Sequence, residues 1–306
     1  RGLGDVYKRQ DRMRACRLKA LVMSLAFMLP SAVLADTDID QTISMAADGL
    51  VQVENLAGSV EFTAWDRDET QVRGEAGDSV EEVIIRETSS GVLVKIRNKK
   101  NERNMDDTDL YLRIPARASI EAEGVSADFT IRGSEGAAIT IGTVSGDVEV
   151  QADSERVDLN SVSGEVEFSG SAKRVNAESV SGDVTLYGVE GEVRASTVSG
   201  DLTLEGDKLS RGQFETVSGD MVLSVAVADD GRLSCDAMSG DVQLRLPASQ
   251  EAAFNAQSYS GSIRSDFGKV VSVSRGPGSM LDEQAGDNSA RIRVETFSGD
   301  ITIRSE

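Results

Sequence analysis

The sequence of 306 residues contains 32 Lys plus Arg, 52 Asp plus Glu, 29 Gly and two Cys, and it contains no His. Without His there can be no Ser-His-Asp triad, Cys-His dyad or His-ligated zinc, and two Cys cannot form a four-thiolate metal site. Hydrophobic residues make up 39% of the chain and aromatic residues only 4%, which predicts a core of small and β-branched side chains.

Two segments at the N-terminus are not expected in the folded domain. Residues 1–12 precede the first methionine and match nothing that follows, so we interpret them as a non-native leader. Residues 13–35 have the pattern of a secretory signal peptide: basic residues, an apolar run too short to span a membrane, and Val33-Leu34-Ala35 before Asp36. The sequence therefore predicts an exported mature chain that begins at Asp36.

Removal of residues 1–35 makes the chain more acidic. It takes away seven basic and two acidic residues, and the remaining 25 basic and 50 acidic residues give a net charge of −25. Such a surface repels nucleic acids and anionic lipid head groups. Cys235 is then the only cysteine, so no internal disulfide can form, and we expect it to be a small buried side chain.

Residues 36–115 are predicted to form an irregular N-terminal β cap or irregular first rungs of a repeat structure. Strand-like segments such as 51–55, 59–63 and 92–96 are separated by glycine-containing or acidic turns. Trp65, the only tryptophan, is expected to pack against the end of the repeats rather than to stack on a ligand.

An internal repeat dominates residues 116–306. The motif Val-Ser-Gly-Asp-Val begins at Val144 and recurs, with variations, seven more times. The motif glycines are spaced by 18 to 21 residues, except for a last interval of 38, which we interpret as two turns. A fixed period of this length is typical of solenoid proteins. The glycines are Gly146, Gly164, Gly182, Gly200, Gly219, Gly240, Gly261 and Gly299, and the first residues of the later copies are Val162, Val180, Val198, Val217, Met238, Tyr259 and Phe297.

Apolar and polar residues alternate on both sides of each motif, which is typical of half-buried strands. Ile139 and Ile141 are the inward positions before the first motif, and Val148 and Val150 are the inward positions after it. The alternation changes parity at the motif, so the motif is predicted to be a corner. A second, looser corner follows, as at 187–191.

These features predict an all-β fold: a single-stranded parallel β-helix, right-handed, of roughly ten rungs of 18–21 residues. Residues 274–288 contain glycine and proline but few periodic apolar positions, which predicts an inserted loop. We expect this loop to cover the open edge of the last rung, 301–306, with Met280 and Leu281 as its apolar contacts.

The eight motif glycines are predicted to be the structural corners, at positive φ that other residues adopt only at a cost. The acids that follow them are expected to form a column along one edge. A calcium ladder is one interpretation. However, two unit charges ~4.8 Å apart in water repel by only about 1 kcal/mol, so turn chemistry on a solvated edge is favoured and neither a metal nor a cofactor is predicted. These acids are Asp147, Glu165, Asp183, Asp201, Asp220, Asp241 and Asp300.

Several of these sequence features resemble a known family. The segment 53–60, Trp65-Asp66, Ile114-Pro115 and the serial Val-Ser-Gly-Asp-Val motifs are similar to the bacterial putative-adhesin domain of unknown function with β-strand repeats. The similarity spans roughly residues 40–306. It implies an exported β-solenoid whose biochemical role is not established, and it carries no catalytic residue over to this chain.

The expected function is that of an exported, non-enzymatic β-solenoid that provides an adhesin-like binding or structural surface in the cell envelope. A carbohydrate-active enzyme on the same scaffold is an alternative, because glycoside hydrolysis needs two carboxylates held close together. The acids recur in every rung, whereas catalysis needs one special place, so no catalytic residue is predicted. A further alternative is an envelope-stress regulatory partner that captures another protein by edge-strand addition.

The expected partner is a protein or glycan at the envelope, and nucleic acid is not expected to bind. The mature chain is expected to lack a transmembrane segment and to be a monomer, located in the periplasm or outside the cell.

Overall fold

The computed structural model describes residues 32–33, 38–99, 106–272, 278–287 and 289–306. The predicted leader, 1–12, and all of the predicted signal peptide except Ala32 and Val33 lie outside the described residues. Every described regular element is a β-strand, as predicted. The strands are β1 (Ala32–Val33), β2 (Asp38–Ser44), β3 (Leu50–Trp65), β4 (Glu69–Glu75), β5 (Val80–Glu87), β6 (Gly91–Asn98), β7 (Thr108–Pro115), β8 (Ser119–Ser134), β9 (Ala138–Gly142), β10 (Val148–Ala152), β11 (Ser154–Asn160), β12 (Val166–Ser169), β13 (Ala172–Glu178), β14 (Val184–Ser199), β15 (Leu202–Ser218), β16 (Met221–Ser239), β17 (Val242–Leu246), β18 (Ala252–Ser258), β19 (Ile263–Ser265), β20 (Val271–Ser272), β21 (Ser279–Ala285), β22 (Arg291–Ser298) and β23 (Ile301–Ser305).

The middle of the chain forms a parallel β-solenoid. From β8 to β17 each repeat lies on the preceding one in parallel register, so that Val166 pairs with Val148 on one side and with Val184 on the other. We call one such turn of the chain a rung. Each rung has one strand before the motif and one after it, as in the pairing of Val157 with Val175 before the motif. The solenoid architecture agrees with the sequence analysis, while its handedness and the number of rungs stay predictions.

The core of the solenoid consists of the inward columns that the alternation predicts. Most rungs contribute two apolar side chains before the motif and two after it, and the columns run through the stack because equivalent positions pair in register. Gly212, which pairs with Val193 and Leu233, is an exception. All of the following are buried: Ile139, Ile141, Val157, Leu159, Val175, Ala177, Val193, Ala195, Val148, Val150, Val166, Phe168, Val184, Leu186, Leu202 and Leu204.

The last repeat in the sequence is not the last rung in space. β22 pairs in parallel with β16 on one side and with β18 on the other. In the same way, β23 lies between β17 and β19. The prediction that 301–306 forms an open edge is therefore wrong, and the interval of 38 residues does not represent two successive turns.

The segment that was predicted to be an inserted loop contains a strand that covers the true last rung. β21 pairs antiparallel with β18 over its whole length. Leu281 is fully buried and Met280 is half-buried, so Leu281 provides the expected apolar contact. The prediction of a loop is wrong for 279–285, while 274–277 and 288 lie outside the described residues.

The N-terminal part repeats this arrangement at the other end of the stack. β3 pairs in parallel with β8 on one side and with β6 and β7 on the other. β4 then pairs antiparallel with β7, β5 with β6, and β2 with β4. Region 36–115 thus contains regular parallel rungs as well as an antiparallel cap.

We predict that Leu281→Asp releases β21 from β18, because a charge cannot be buried among apolar side chains without a partner. The released edge should pair with other molecules. Light scattering over a range of protein concentrations should show self-association of this variant and not of the native protein. Met280→Asp is the matched control on the same strand and should remain monomeric, and two variants that behave alike would argue against this role of β21.

Candidate binding surface at the motif corner

Close packing of successive rungs determines which residue can stand at the corner. A Cβ atom on Gly182 would lie 2.0 Å from the carbonyl oxygen of Gly164. At every motif glycine the corresponding distance to a carbonyl oxygen of the neighbouring rung is between 1.8 and 2.3 Å. No side chain fits at these distances, so the eight predicted corner glycines are required for steric reasons.

A positive φ, the predicted cause, is found at Gly219 and Gly240, at 158° and 151°, and is wrong for the other six motif glycines, including Gly182. Glycine is needed there because a backbone oxygen of the next rung occupies the space where a side chain would begin. The sequence repeat indicates where glycine is required but does not distinguish between these two causes.

A column of buried hydroxyl groups connects the corners from one rung to the next. The Ser161 hydroxyl donates to the carbonyl oxygen of Gly146 at 3.3 Å and accepts from the amide of Gly164 at 2.9 Å. Ser179 makes the same pair of contacts with Gly164 and Gly182. These residues stand directly before the motif, where the sequence analysis assigned no role. Thr143, Thr197, Ser258 and Thr296 hold equivalent buried positions and donate to a carbonyl oxygen of the neighbouring rung. The column is interrupted at Thr216, whose buried hydroxyl has no hydrogen-bond partner within the described ranges, and at Ala237, which has no hydroxyl.

The acids after the glycines form a second column of hydrogen bonds. The Oδ1 atom of Asp147 accepts from the amide of Glu165 at 2.9 Å, and that of Asp183 accepts from the amide of Asp201 at 2.8 Å. The column therefore satisfies backbone donors of the next rung, which is the turn chemistry favoured by the sequence analysis. It is interrupted at Glu165, whose longer side chain makes no such bond to the amide of Asp183. Further bonds of this type run from Asp128, Asp201, Asp220, Asp241 and Asp300.

The end of the acid column shows the electrostatic effect of this bonding. The amide of Ser262 donates to Asp300 and is the largest cause that holds the pKa of Asp300 below its ordinary value. The Ser262 side chain and the nearby Arg264 guanidinium act in the same direction. A carboxylate with a lowered pKa contributes stability at neutral pH that is lost as the pH falls through the folded-state pKa.

The first residue of each of the eight motifs lies on the surface although it is apolar, and so does Val125, which holds the equivalent position in the rung before Val144. These side chains are 38% to 63% exposed, and together they form one continuous column, which we call the corner stripe. At a strand spacing of ~4.8 Å, nine side chains extend over about 38 Å. In spatial order the corner stripe consists of Val125, Val144, Val162, Val180, Val198, Val217, Met238, Phe297 and Tyr259.

The corner stripe is bulkiest where the chain order is rearranged. Met238, Phe297 and Tyr259 follow one another in space, and the rings of Phe297 and Tyr259 stack with centroids 5.7 Å apart. A shallow groove runs beside this part of the stripe. Its lining comprises Val198, Val217, Met238, Phe297, Thr197, Thr216, Ala237, Ser179, Ser196, Glu215 and Asp236.

The other candidate residues do not form a reactive site. Cys235 is fully buried in an inward column, as predicted, and burial followed by the charge of Asp236 raises the pKa of its thiol. Trp65 donates its indole N–H to the carbonyl oxygen of Glu69 at 2.8 Å, and the Arg67 guanidinium lies 5.0 Å above its ring, so it fixes the β3–β4 turn. Among the described residues, no three carboxylate or thiol side chains are grouped to hold a metal ion.

The sequence matches a known protein family. Residues 51–304 match the family model described as Toastrack DUF4097. The chain belongs to the Toastrack DUF4097 family. This membership confirms the predicted relationship to a domain of unknown function. Among curated proteins, none matches the sequence. The part of the chain that the structure describes includes no apolar helix of membrane-spanning length.

Solved structures similar to this Toastrack chain come from several bacteria. A putative lipid binding protein from Parabacteroides distasonis is 12% identical, with a TM-score of 0.48 and coverage of 89% of this chain and 98% of that chain. A putative adhesin from Bacteroides fragilis is 12% identical, with a TM-score of 0.44 and coverage of 88% and 98%. A putative cell adhesion protein from Clostridium sporogenes is 11% identical, with a TM-score of 0.25 and coverage of 88% and 100%.

Sequence reasoning identified the corner but missed its exposed apolar column. The alternation of buried and exposed residues ends at the first residue of the motif, two positions before the glycine. That residue was therefore treated only as part of a repeated pattern. Met238, Tyr259 and Phe297 at this position were the available signal, because three large side chains of different shape replace valine there.

We predict that Gly182→Ala lowers the free energy of unfolding by about 2 kcal/mol or more, because its methyl group would overlap the carbonyl oxygen of Gly164. Gly142→Ala is the matched control, since nothing lies within 4 Å of the added methyl group. Chemical denaturation of both variants measures the difference. Equal stability of the two variants would contradict the steric explanation of the corner.

We predict that Glu165→Asp stabilises the solenoid, because the shorter side chain completes the acid column by accepting from the amide of Asp183. The midpoint of thermal unfolding should rise by about 1–3 °C. Asp147→Glu, which creates a second interruption next to the first, should lower the midpoint by a similar amount. Shifts of the same sign in both variants would refute a structural role of the acid column.

Proposed function

We propose that this protein is an exported, non-enzymatic binding protein of the cell envelope, and that the corner stripe is the surface that contacts its partner. The observation that carries the proposal is the continuous column of nine exposed apolar side chains along one edge. Single exposed apolar residues are common on protein surfaces, whereas contiguous ones mark interaction sites. The strand preference of β-branched and aromatic residues accounts for most of these side chains but not for Met238.

The chemistry beside the corner stripe indicates the kind of partner. The acid column runs parallel to it, three residues further along each rung, and its carboxylates remain exposed. The full chain has a net charge of −20, so a second copy of the same surface would be repelled. A protein that presents apolar side chains flanked by Lys or Arg fits both columns.

The corner stripe is a better candidate for this contact than the ends of the stack. The open edge beside β18 is covered by β21, and the edges beside β6 and β7 are covered by β5 and β4. Edge-strand addition would require one of these antiparallel strands to leave. Binding through the corner stripe requires no rearrangement of the backbone.

Export and the absence of catalysis are the remaining parts of the proposal. The signal-peptide pattern of 13–35 supports export to the periplasm or beyond. The carboxylates of the acid column are engaged in the same way in most rungs, which leaves no single place suited to acid-base chemistry. Turnover of a polysaccharide by the purified protein would contradict the non-enzymatic part of the proposal.

We predict that Met238→Thr combined with Phe297→Thr weakens binding of a fluorescent peptide of alternating Val and Lys at least about tenfold. Threonine is β-branched and therefore suits a strand, while it removes most of the apolar surface of both side chains. Fluorescence anisotropy of the purified protein measures the affinity. This peptide reproduces the apolar and basic character inferred for the partner surface.

The control variant carries Tyr111→Thr and Val271→Thr, two large exposed apolar residues outside the corner stripe. Its affinity should stay within about twofold of the native value. A native protein that does not bind the peptide, or two double variants that lose affinity equally, would count against the corner stripe as the binding surface.

A further inference from the structure

A column of arginines runs across the outward face of the strands before the motif. Arg211 of β15 pairs in register with Arg232 of β16, and Arg232 pairs in register with Arg291 of β22. All three side chains are exposed. Parallel strands lie ~4.8 Å apart, so three guanidinium groups project side by side from one face of an acidic protein. We call these three residues the arginine column.

The arginine column is not neutralised by the protein itself. No carboxylate oxygen of the described residues forms an ion pair within 4.0 Å of Arg211, Arg232 or Arg291, in contrast to other arginines on the same face. Arg174 is paired with Glu192 at 3.0 Å, and Arg293 is paired with Glu295 at 2.6 Å. The sheet therefore places three unpaired like charges opposite one another, which is unfavourable without a ligand.

Two acids near the arginine column, Glu192 and Asp236, are engaged by other side chains. Glu192, the register partner of Arg211, is bound by Arg174. Asp236 accepts from the Ser234 hydroxyl at 2.8 Å and contacts Arg293 at 3.5 Å. The outward side chains that follow on the same strands are neutral or basic: Gln213, Ser234 and Arg293. On the other side of Arg232, the exposed Asp230 precedes it by two residues.

We propose that the arginine column binds a linear acidic polysaccharide, with carboxylates of successive sugars paired to successive guanidinium groups. Guanidinium groups bind carboxylates in bidentate geometry, and their fixed spacing matches a ligand with repeated charge rather than a single anion. The polymer would lie along the direction in which the rungs stack. This site is independent of the corner stripe, which lies six residues further along each of these strands.

The shape of the site favours a single polymer chain over other anionic partners. The basic surface is narrow, so an anionic bilayer that contacted it would also approach the acid column. The net charge of −20 would repel such a bilayer. Single-stranded nucleic acids are held by stacking on aromatic side chains. No aromatic residue stands among the outward positions beside the arginine column. A flexible acidic glycan needs neither a broad basic surface nor aromatic rings.

The test uses the full-length protein, with polygalacturonate as the probe and its methyl-esterified form as the uncharged reference. Isothermal titration calorimetry at low salt should show binding of polygalacturonate that weakens as salt is added, and no binding of the ester. The triple variant Arg211→Gln, Arg232→Gln and Arg291→Gln should lose affinity at least about tenfold. Its melting temperature should not fall, because the substitution removes repulsion between exposed side chains.

The matched control is Arg86→Gln, Arg117→Gln and Arg304→Gln, which removes three exposed arginines elsewhere and changes the net charge equally. It should keep its affinity within about twofold. Equal losses in the two triple variants, equal binding of the ester, or no binding of polygalacturonate would overturn the proposal. Binding of phosphatidylglycerol vesicles or oligothymidylate without binding of polygalacturonate would also overturn it. Unchanged polygalacturonate binding in the Met238 and Phe297 double variant would separate this site from the corner stripe.

Discussion

The close approach of successive corners is the constraint on which the rest of the structure depends. A carbonyl oxygen of one rung occupies the position that a side chain of the next corner would need. Glycine is therefore required. In six of the described rungs the carbonyl oxygen that blocks the corner accepts from the hydroxyl group directly before the motif, and in most rungs the carboxylate after the glycine accepts from an amide of the next rung. One steric and two hydrogen-bonding requirements thus meet at the corner, which explains why the same residue types recur there.

The same corner also creates the surfaces on which function is proposed. The first residue of each motif points outward because it directly follows the buried position before the motif, and successive residues of a strand face opposite sides of the sheet. Its side chain stands in solvent whatever its polarity, and the apolar choice at nine successive positions is therefore not imposed by folding. The arginine column also depends on in-register stacking, because equivalent outward residues of successive rungs lie side by side whatever their charge.

The sequence was sufficient to predict most of the fold because the inward positions have a period of two and the glycines have a fixed spacing. Ile139, Val157 and Val175 were assigned to one column, and the structure places them there. The order of the rungs could not be predicted in the same way. Ile301 lies between Val242 and Ile263 and pairs with both. Because all three residues have the same local sequence pattern, the pattern does not indicate which rungs are neighbours. The corner stripe was missed for a different reason, because alternation predicts on which side of the sheet a residue lies and does not indicate whether an outward apolar residue has a function.

The intercalated rung has a consequence for the order of folding. β22 and β23 fill the space between strands that were synthesised earlier, so β18 and β19 have no parallel neighbour until the final residues of the chain arrive. The C-terminal end of the stack therefore cannot form progressively as the chain emerges from the ribosome. It depends on contacts between residues far apart in sequence, which form slowly. A chain that lacked only its last two strands would lose the support of the rung before them, and truncation would have effects well beyond the residues removed.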